Sequence, residues 1–152
     1  MTEQVADLIA QEAELACDFF DHASAWQLGT ILVRLAQERS LKVSVGIDLG
    51  EQHVFRCGLP GSSADNDAWL RRKFAVVRRY NHSSLLMATL TQAVPDRLAS
   101  LGLDPTKYAL SGGAFPLTVG GSLAGSVGVS GLADVDDHAL VIEALRLHQR
   151  RS

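Results

Sequence analysis

Residues 111–150, SGGAFPLTVGGSLAGSVGVSGLADVDDHALVIEALRLHQR, decide the fold of this chain. Apolar residues alternate with small or polar ones over 115–119 and again over 123–129, and a Gly120-Gly121 pair separates the two runs. An alternation of period two on both sides of a two-glycine turn is typical of a β-hairpin with one core-facing side. The stretch therefore predicts an antiparallel hairpin followed by a helix that begins near Asp134.

The second strand of this hairpin carries almost no side-chain volume on its other face. The residues on that face are Ala124, Ser126, Gly128 and Ser130. Small residues in a strand indicate that another body comes close to the backbone. We expect a packed helix, another subunit or a flat ligand on this face, and all three remain open.

The predicted last helix has acidic residues in its first turn and basic residues at its far end. The acids are Asp134, Asp136 and Asp137. Carboxylates at the N-terminus and cations at the C-terminus oppose the helix dipole, so we interpret these charges as ordinary helix polarity. A metal site formed by the acids with His138 is the less favoured alternative, because these side chains point in several directions around the helix. We therefore predict no metal.

Length and composition restrict the class of protein. The chain has 152 residues, of which 47% are hydrophobic and 20% charged, with a net charge of -3. This composition predicts one globular domain over residues 1–152 and disfavours a nucleic-acid partner. No apolar run approaches the roughly 20 residues of a membrane span, and the acidic N-terminus lacks the pattern of a signal peptide. We expect no membrane partner.

The two cysteines bear on localisation. Cys17 and Cys57 lack the close spacing of metal ligands. Free thiols in a reducing compartment are the simpler interpretation. We therefore expect a cytoplasmic protein.

The first half of the chain predicts two helices and a second hairpin. Periodic apolar residues indicate a short helix over about 3–14 and a second one that Asp21 or Ser24 caps and that ends near Arg39. Residues 15–20 suit a short edge strand. Alternating runs over 43–49 and 53–59 predict the hairpin.

A long helix over about 64–80 contains the most informative residue. Its apolar side chains cluster in one arc, and Lys73 lies in the middle of that arc. A lysine there must be paired, must extend to an edge or must face a pocket. A structural ion pair and a ligand-facing ammonium both remain open.

The opposite face of this helix is rich in arginine. Arg71, Arg72 and Arg78 fall together there, with Arg79 beside them. Such a face is either simply solvated or binds an anion or another subunit, since guanidinium groups pair well with carboxylates and phosphates.

The junction after the long helix is a candidate anion site. Asn81 suits a left-handed helix end, and Ser83 or Ser84 can begin the next helix beside His82. Free N–H groups, two hydroxyls and an imidazole could bind an anion there. The plainer interpretation is that the serines are helix caps and His82 is a turn residue.

Several known motifs are absent. The glycine-rich stretch contains neither GxGxxG nor GxxxxGK[ST], and the chain has no GxSxG. Nucleotide cradling and the hydrolase nucleophile elbow therefore have little support.

Several separated blocks resemble a known family. These blocks are Asn66-Asp67, Trp69, Arg71-Arg72-Lys73, Arg78, His82-Ser83-Ser84, Phe115-Pro116-Leu117, Val127 to Leu132 and Asp136-Asp137-His138. They recur in order over nearly the whole chain, which resembles the GlcG/HbpS-like haem-degrading-domain family, in the branch filed as an uncharacterised protein family. The resemblance implies an α+β, profilin-like (GlcG-like) sandwich with an antiparallel sheet of about five strands flanked by helices. It also implies a homo-oligomer.

The same resemblance makes haem a possible cofactor. Better-known relatives bind haem and have been linked to its degradation. This chain has no Cys-Pro or paired-histidine motif, so no axial ligand is assigned.

Three functions follow from these features. The favoured hypothesis is a homo-oligomeric protein that binds a small ligand, either haem or an anionic metabolite, in a pocket bounded by Lys73, the His82-Ser83-Ser84 junction and the Gly112-Gly113 loop. An alternative is an enzyme in which Lys73 or His82 moves a proton during turnover of haem or a small metabolite. The third is a structural or adaptor oligomer without catalysis, assembled through the small-residue strand face and the arginine face.

Overall fold

A computed structural model describes residues 2–151 and shows helices on both faces of one sheet. In chain order the elements are α1 (Glu3–Glu14), α2 (His22–Glu38), β1 (Ser44–Leu49), β2 (Gln52–Gly58), α3 (Ala64–Tyr80), α4 (Ser84–Thr91), α5 (Arg97–Ser100), β3 (Ala114–Val119), β4 (Ser122–Ser130) and α6 (Asp134–Arg150). Within residues 2–151, none of these helices combines the length and the apolarity that a bilayer crossing requires.

The sheet is antiparallel, with the strand order β2-β1-β4-β3. Its two hairpins are joined through their β1 and β4 strands, where Gly46 lies opposite Gly128. The four strands are close to the expected number of about five. The segment over 15–20 contributes one isolated bridge, between Cys17 and Val119, in place of a full edge strand.

Local capping explains where the helices begin and end. Asp21 is the N-cap of α2 and forms a reciprocal capping box with Ser24. Asn81 ends α3 in the left-handed conformation, with a φ of 55°. Ser83 then caps α4, because its hydroxyl accepts from the N–H of Leu86 at 3.1 Å.

The larger core lies between α2, α6 and one face of the sheet. Its strand residues are the alternating apolar side chains of both hairpins: Val45, Ile47, Phe115, Leu117, Val127 and Val129. The period-two pattern thus places one full face of the sheet against two helices.

Helix α3 covers the small-residue face. A Cβ atom added at Gly128 would lie 2.5 Å from the ring of Phe74, and one added at Gly46 would lie 2.8 Å from Leu70. Glycine is therefore required for this close approach of helix and strand. Of the three bodies expected at this face, the structure shows a packed helix.

Candidate functional site

Lys73 is buried at the centre of the candidate site. Its Nζ atom donates to Asp137 Oδ2 at 3.1 Å and to the carbonyl oxygen of Val129 at 3.2 Å, and 3% of its side chain is exposed. The lysine leaves the apolar arc of α3 and joins that helix to the end of β4 and to α6. These two hydrogen bonds use two of the three protons of the ammonium group.

Asp137 is the counterion, and it also orders the loop before α6. Its carboxylate accepts from the N–H of Leu132 at 2.9 Å and from the N–H of Gly131 at 3.4 Å. Burial raises the pKa of Asp137, whereas the charge of Lys73 and the backbone N–H groups act in the opposite direction. Asp137 therefore does more than oppose the dipole of α6, because it also neutralises Lys73 and binds the preceding loop.

The Gly112-Gly113 loop lies directly against the pair. Gly113 has a φ of +132°, and a Cβ atom there would lie 2.7 Å from Lys73 Nζ. A Cβ atom at Gly112 would lie 2.6 Å from the carbonyl oxygen of Asp134. Both glycines keep the loop close enough to seal one side of the lysine.

Two adjoining cavities lie beside Lys73. The inner cavity has a volume of about 240 Å³ and the outer one of about 750 Å³, and Trp69, Ser111 and Asp134 line both. Polar groups of the inner cavity come from Asn66, Lys73, Ser111, Ser130, Asp134 and Asp137. The outer cavity is lined mainly by the apolar and aromatic residues Trp69, Leu98, Leu103, Tyr108 and Leu110, together with the charged residues Arg72, Asp96, Arg97 and Asp134. The two cavities together thus combine a mainly apolar compartment with a smaller polar one.

The arginine face divides into separate environments. The guanidinium of Arg72 lies 4.3 Å from the ring centroid of Trp69, at the outer cavity. Arg78 instead reaches Asp48 at 3.6 Å, and Arg71 is exposed. These three residues do not converge on one anion site.

Asp48 is a buried acid that the sequence analysis did not identify. Its Oδ1 atom lies 2.8 Å from both His53 Nδ1 and a guanidinium nitrogen of Arg56, while Arg78 approaches Oδ2. Asp48 is in an alternating strand, on the face away from the larger core. The sequence held one signal that could have identified Asp48: an acid on the strand face opposite the core, in a chain whose long helix carries several arginines.

The His82-Ser83-Ser84 junction has other partners. His82 Nδ1 lies 2.8 Å from Glu12 of α1. Ser83 caps α4, and the Ser84 hydroxyl accepts from the N–H of Ala114 at 3.0 Å. None of the three lines either cavity, so the structure brings only the lysine and the glycine loop together.

The cavities offer few ligands for a metal or for haem iron. No group of three metal-ligating side chains occurs within residues 2–151. Neither cavity is lined by histidine, cysteine or methionine, and Tyr108 is the one lining residue of a type that holds haem iron. The lining therefore does not fit a haem held by histidine or thiolate.

His138 illustrates why the histidines do not supply such a ligand here. Its ring is buried, and Nε2 lies 2.8 Å from Gln11 Oε1. Nδ1 has no hydrogen-bond partner among residues 2–151, and desolvation lowers the pKa of His138 to about 4. The imidazole is therefore neutral at physiological pH, but it lines neither cavity.

We expect substitutions of Lys73 and Asp137 to have strongly coupled effects on the free energy of unfolding. The Asp137→Leu variant should lose about 3–5 kcal/mol because it leaves a buried ammonium uncompensated. The double variant Lys73→Met/Asp137→Leu should lose less than the two single variants together. Urea unfolding of the full cycle measures this coupling. The exposed pair Glu14 and Arg146 is the control and should show much weaker coupling, because solvent screens it. Additive losses at the buried pair would contradict the interpretation.

His138 should make the protein less stable in mild acid. The unfolded histidine takes up a proton near pH 6.5, whereas the folded one resists protonation down to about pH 4. Stability therefore falls as pH decreases, by about 2 kcal/mol between pH 8 and pH 5. His138→Gln should remove this part of the pH dependence, measured by urea unfolding at each pH. An equally steep pH profile in this variant would assign the effect to other groups, and exposed His22→Gln provides the control.

Comparisons with known proteins agree with the fold and identify the family. A UPF0303 protein of Streptomyces avermitilis is 47% identical over 149 residues, which cover 97% of this chain and 91% of the relative. The crystal structure of Ybr137w protein superposes with a TM-score of 0.90 at 26% identity, covering 97% of this chain and 89% of that one. The PduOC:haem complex has the same fold, with a TM-score of 0.69 at 19% identity over 84% of this chain and 93% of that one.

A family model described as haem degrading protein HbpS-like matches residues 20–146. This match leaves out all of α1 and the last turn of α6 and includes every residue of both cavities. The α+β sandwich, the order of its elements and the matched residues lead to one conclusion: this chain belongs to the family described as haem degrading protein HbpS-like, among relatives named UPF0303.

Proposed function

We propose that this protein binds a small ligand with a flat apolar body in the outer cavity and a polar group in the inner one. The observation that carries the proposal is the pair of adjoining cavities, which share Trp69, Ser111 and Asp134. Small-molecule sites are typically mostly apolar, with a few fixed polar groups that orient the ligand. The two compartments supply these parts separately.

The fixed ion pair supports binding by giving the site a rigid floor. Lys73 and Asp137 hold each other, and Gly113 leaves no room for another side chain between loop and ammonium. Because the charge of Lys73 is already balanced, this residue gives little support to a ligand that is recognised as an anion. The support for binding comes from the cavities themselves.

Haemin is the first probe, because the family model is described as haem degrading. A flat macrocycle suits the apolar walls of the outer cavity, although the lining does not fit an iron held by histidine or thiolate. The alternative hypothesis, an enzyme in which Lys73 or His82 transfers a proton, stays a prediction.

The cavity proposal predicts that filling the outer cavity blocks binding. Ala99 lines that cavity and is exposed, so Ala99→Trp should occupy space without disturbing the core. We expect haemin or a hydrophobic dye, 1-anilinonaphthalene-8-sulfonate, to bind saturably to the wild type and at least about tenfold more weakly to this variant. Absorption and fluorescence titrations measure the two probes.

The matched control is Ala6→Trp, an exposed position on α1 that lines neither cavity. It should bind both probes as the wild type does. Equal binding by Ala99→Trp and Ala6→Trp would place the site elsewhere, and no saturable binding of either probe would refute the function.

We also propose that the protein acts as a homo-oligomer in the cytoplasm. The small-residue strand face is covered by α3, so it does not serve as a contact between subunits. The better-supported surface is near β2, where Trp26 is 66% exposed and stacks edge-on against Phe55 at 5.9 Å. These residues, with Val33 and Val54, line a cavity of about 640 Å³.

The free thiols of Cys17 and Cys57 support a reducing compartment.

The assembly proposal predicts that one charge at this surface separates the subunits. Trp26→Glu should convert an oligomer at micromolar concentration to a monomer, because a carboxylate would be desolvated in an apolar contact. Analytical ultracentrifugation measures the mass. Phe19→Glu is the control, since Phe19 is equally exposed, at 65%, but lines no part of that cavity. A monomeric wild type, or dissociation by both variants, would contradict the proposal.

A further inference from the structure

The inner cavity has an uneven set of polar groups. Lys73 and Asp137 neutralise each other at its floor, at a distance of 3.1 Å. Asp134 forms no ion pair with any residue between 2 and 151. Asp134 is an exposed residue in the first turn of α6. It is the charged residue of this lining without an ion-pair partner in the described part of the chain, so the lining has a net negative charge.

One of the two carboxylate oxygens of Asp134 has a hydrogen-bond partner, and the other has none within the described part of the chain. Its Oδ1 atom accepts from the hydroxyl of Ser111 at 2.8 Å. Oδ2 has no hydrogen-bond partner within the described part of the chain. Because both Ser111 and Asp134 line both cavities, these two residues lie where the two compartments meet.

Ser130 is a second, independent indication of a ligand. The residue lines the inner cavity and is only 3% exposed, yet its hydroxyl forms no hydrogen bond with any residue from 2 to 151. The hydroxyl oxygen keeps a small accessible surface at the cavity, and among the described residues it lacks the protein partner that a buried hydroxyl normally has. A polar group of a bound molecule would supply that partner.

The aromatic side of the site is equally defined. Trp69 lines both cavities, and the guanidinium of Arg72 covers its ring at 4.3 Å. Arg97 donates to the carbonyl oxygens of Ala88 and Leu110, at 2.9 and 3.0 Å, so this cation is already committed to the fold. The outer cavity thus provides a flat aromatic wall, and neither Arg72 nor Arg97 lines the inner cavity, where Lys73 is the one cation among the lining residues.

We propose that the site takes an aromatic amine, with its ring in the outer cavity beside Trp69 and its ammonium group in the inner cavity between Asp134 and Ser130. The ammonium donates to the free oxygen of Asp134 and to the hydroxyl of Ser130. An anionic head group would meet the uncompensated carboxylate instead, and a lysine that Asp137 already neutralises. This inference rests on the proposed function and specifies the ligand class for the same cavities.

Three probes of matched shape test the charge of the head group. Tryptamine, tryptophol and indole-3-propionate share an indole ring and a two-carbon chain, and end in an ammonium, a hydroxyl and a carboxylate. Isothermal titration calorimetry on the full chain should give the tightest binding for tryptamine. We expect at least about a tenfold difference in Kd between the amine and the carboxylate, because a carboxylate of the site attracts one and repels the other.

Asp134→Asn should reduce this preference to within about threefold while keeping the bond with Ser111. The matched control is Asp136→Asn, which removes the same charge from the same helix turn at an exposed residue that lines neither cavity. It should leave the preference unchanged. Ser130→Ala should weaken tryptamine more than indole-3-propionate.

The outcomes separate this inference from the proposed function. If Ala99→Trp blocks the dye or haemin but the three probes bind equally, bind in the reverse order or do not bind, the ligand class is wrong and the cavity function stands. Equal effects of Asp134→Asn and Asp136→Asn also overturn the inference. If Ala99→Trp affects no probe, the proposed function itself fails.

Discussion

The buried ion pair between Lys73 and Asp137 is the constraint on which this structure depends. A charged lysine in the middle of an apolar helix face is acceptable only with a counterion and hydrogen bonds, and Asp137 and the carbonyl of Val129 provide them. The same carboxylate accepts from two N–H groups of the loop before α6. One interaction therefore connects α3, the end of β4, the following loop and α6, and it forms the floor of the inner cavity.

Local patterns in the sequence predicted most of the secondary structure. The period-two runs around Gly120-Gly121 gave the hairpin, and the glycine and serine residues of its second strand predicted a close neighbour. Asn81 ends α3 as expected for a residue that tolerates the left-handed conformation. These features depend on residues that are near each other in the chain, so a single sequence carries the information.

The candidate site was harder to predict because its contacts join distant residues. Lys73 and Asp137 are 64 positions apart, and the acid is one of three in a helix turn where all three suit the dipole. Sequence periodicity placed Lys73 in the apolar arc but did not select its partner. It also grouped His82 with Lys73 by proximity in the chain, whereas His82 faces Glu12 of α1. Asp48 remained hidden because alternation describes which face a residue is on and not what covers that face.

The small-residue surface under α3 has a mechanical consequence. Gly46 and Gly128 leave hollows in this part of the sheet that Leu70 and Phe74 of α3 fill, so packing itself resists sliding of the helix. Two charged side chains add to that resistance: Lys73 binds β4 and α6 at one point of the helix, and Arg78 contacts Asp48 of β1 at a second point. The anchors are five residues apart, or about 7.5 Å along the axis. Two contacts at different heights oppose pivoting of the helix about either one, and the longer, partly exposed Arg78 contact is the weaker of the two.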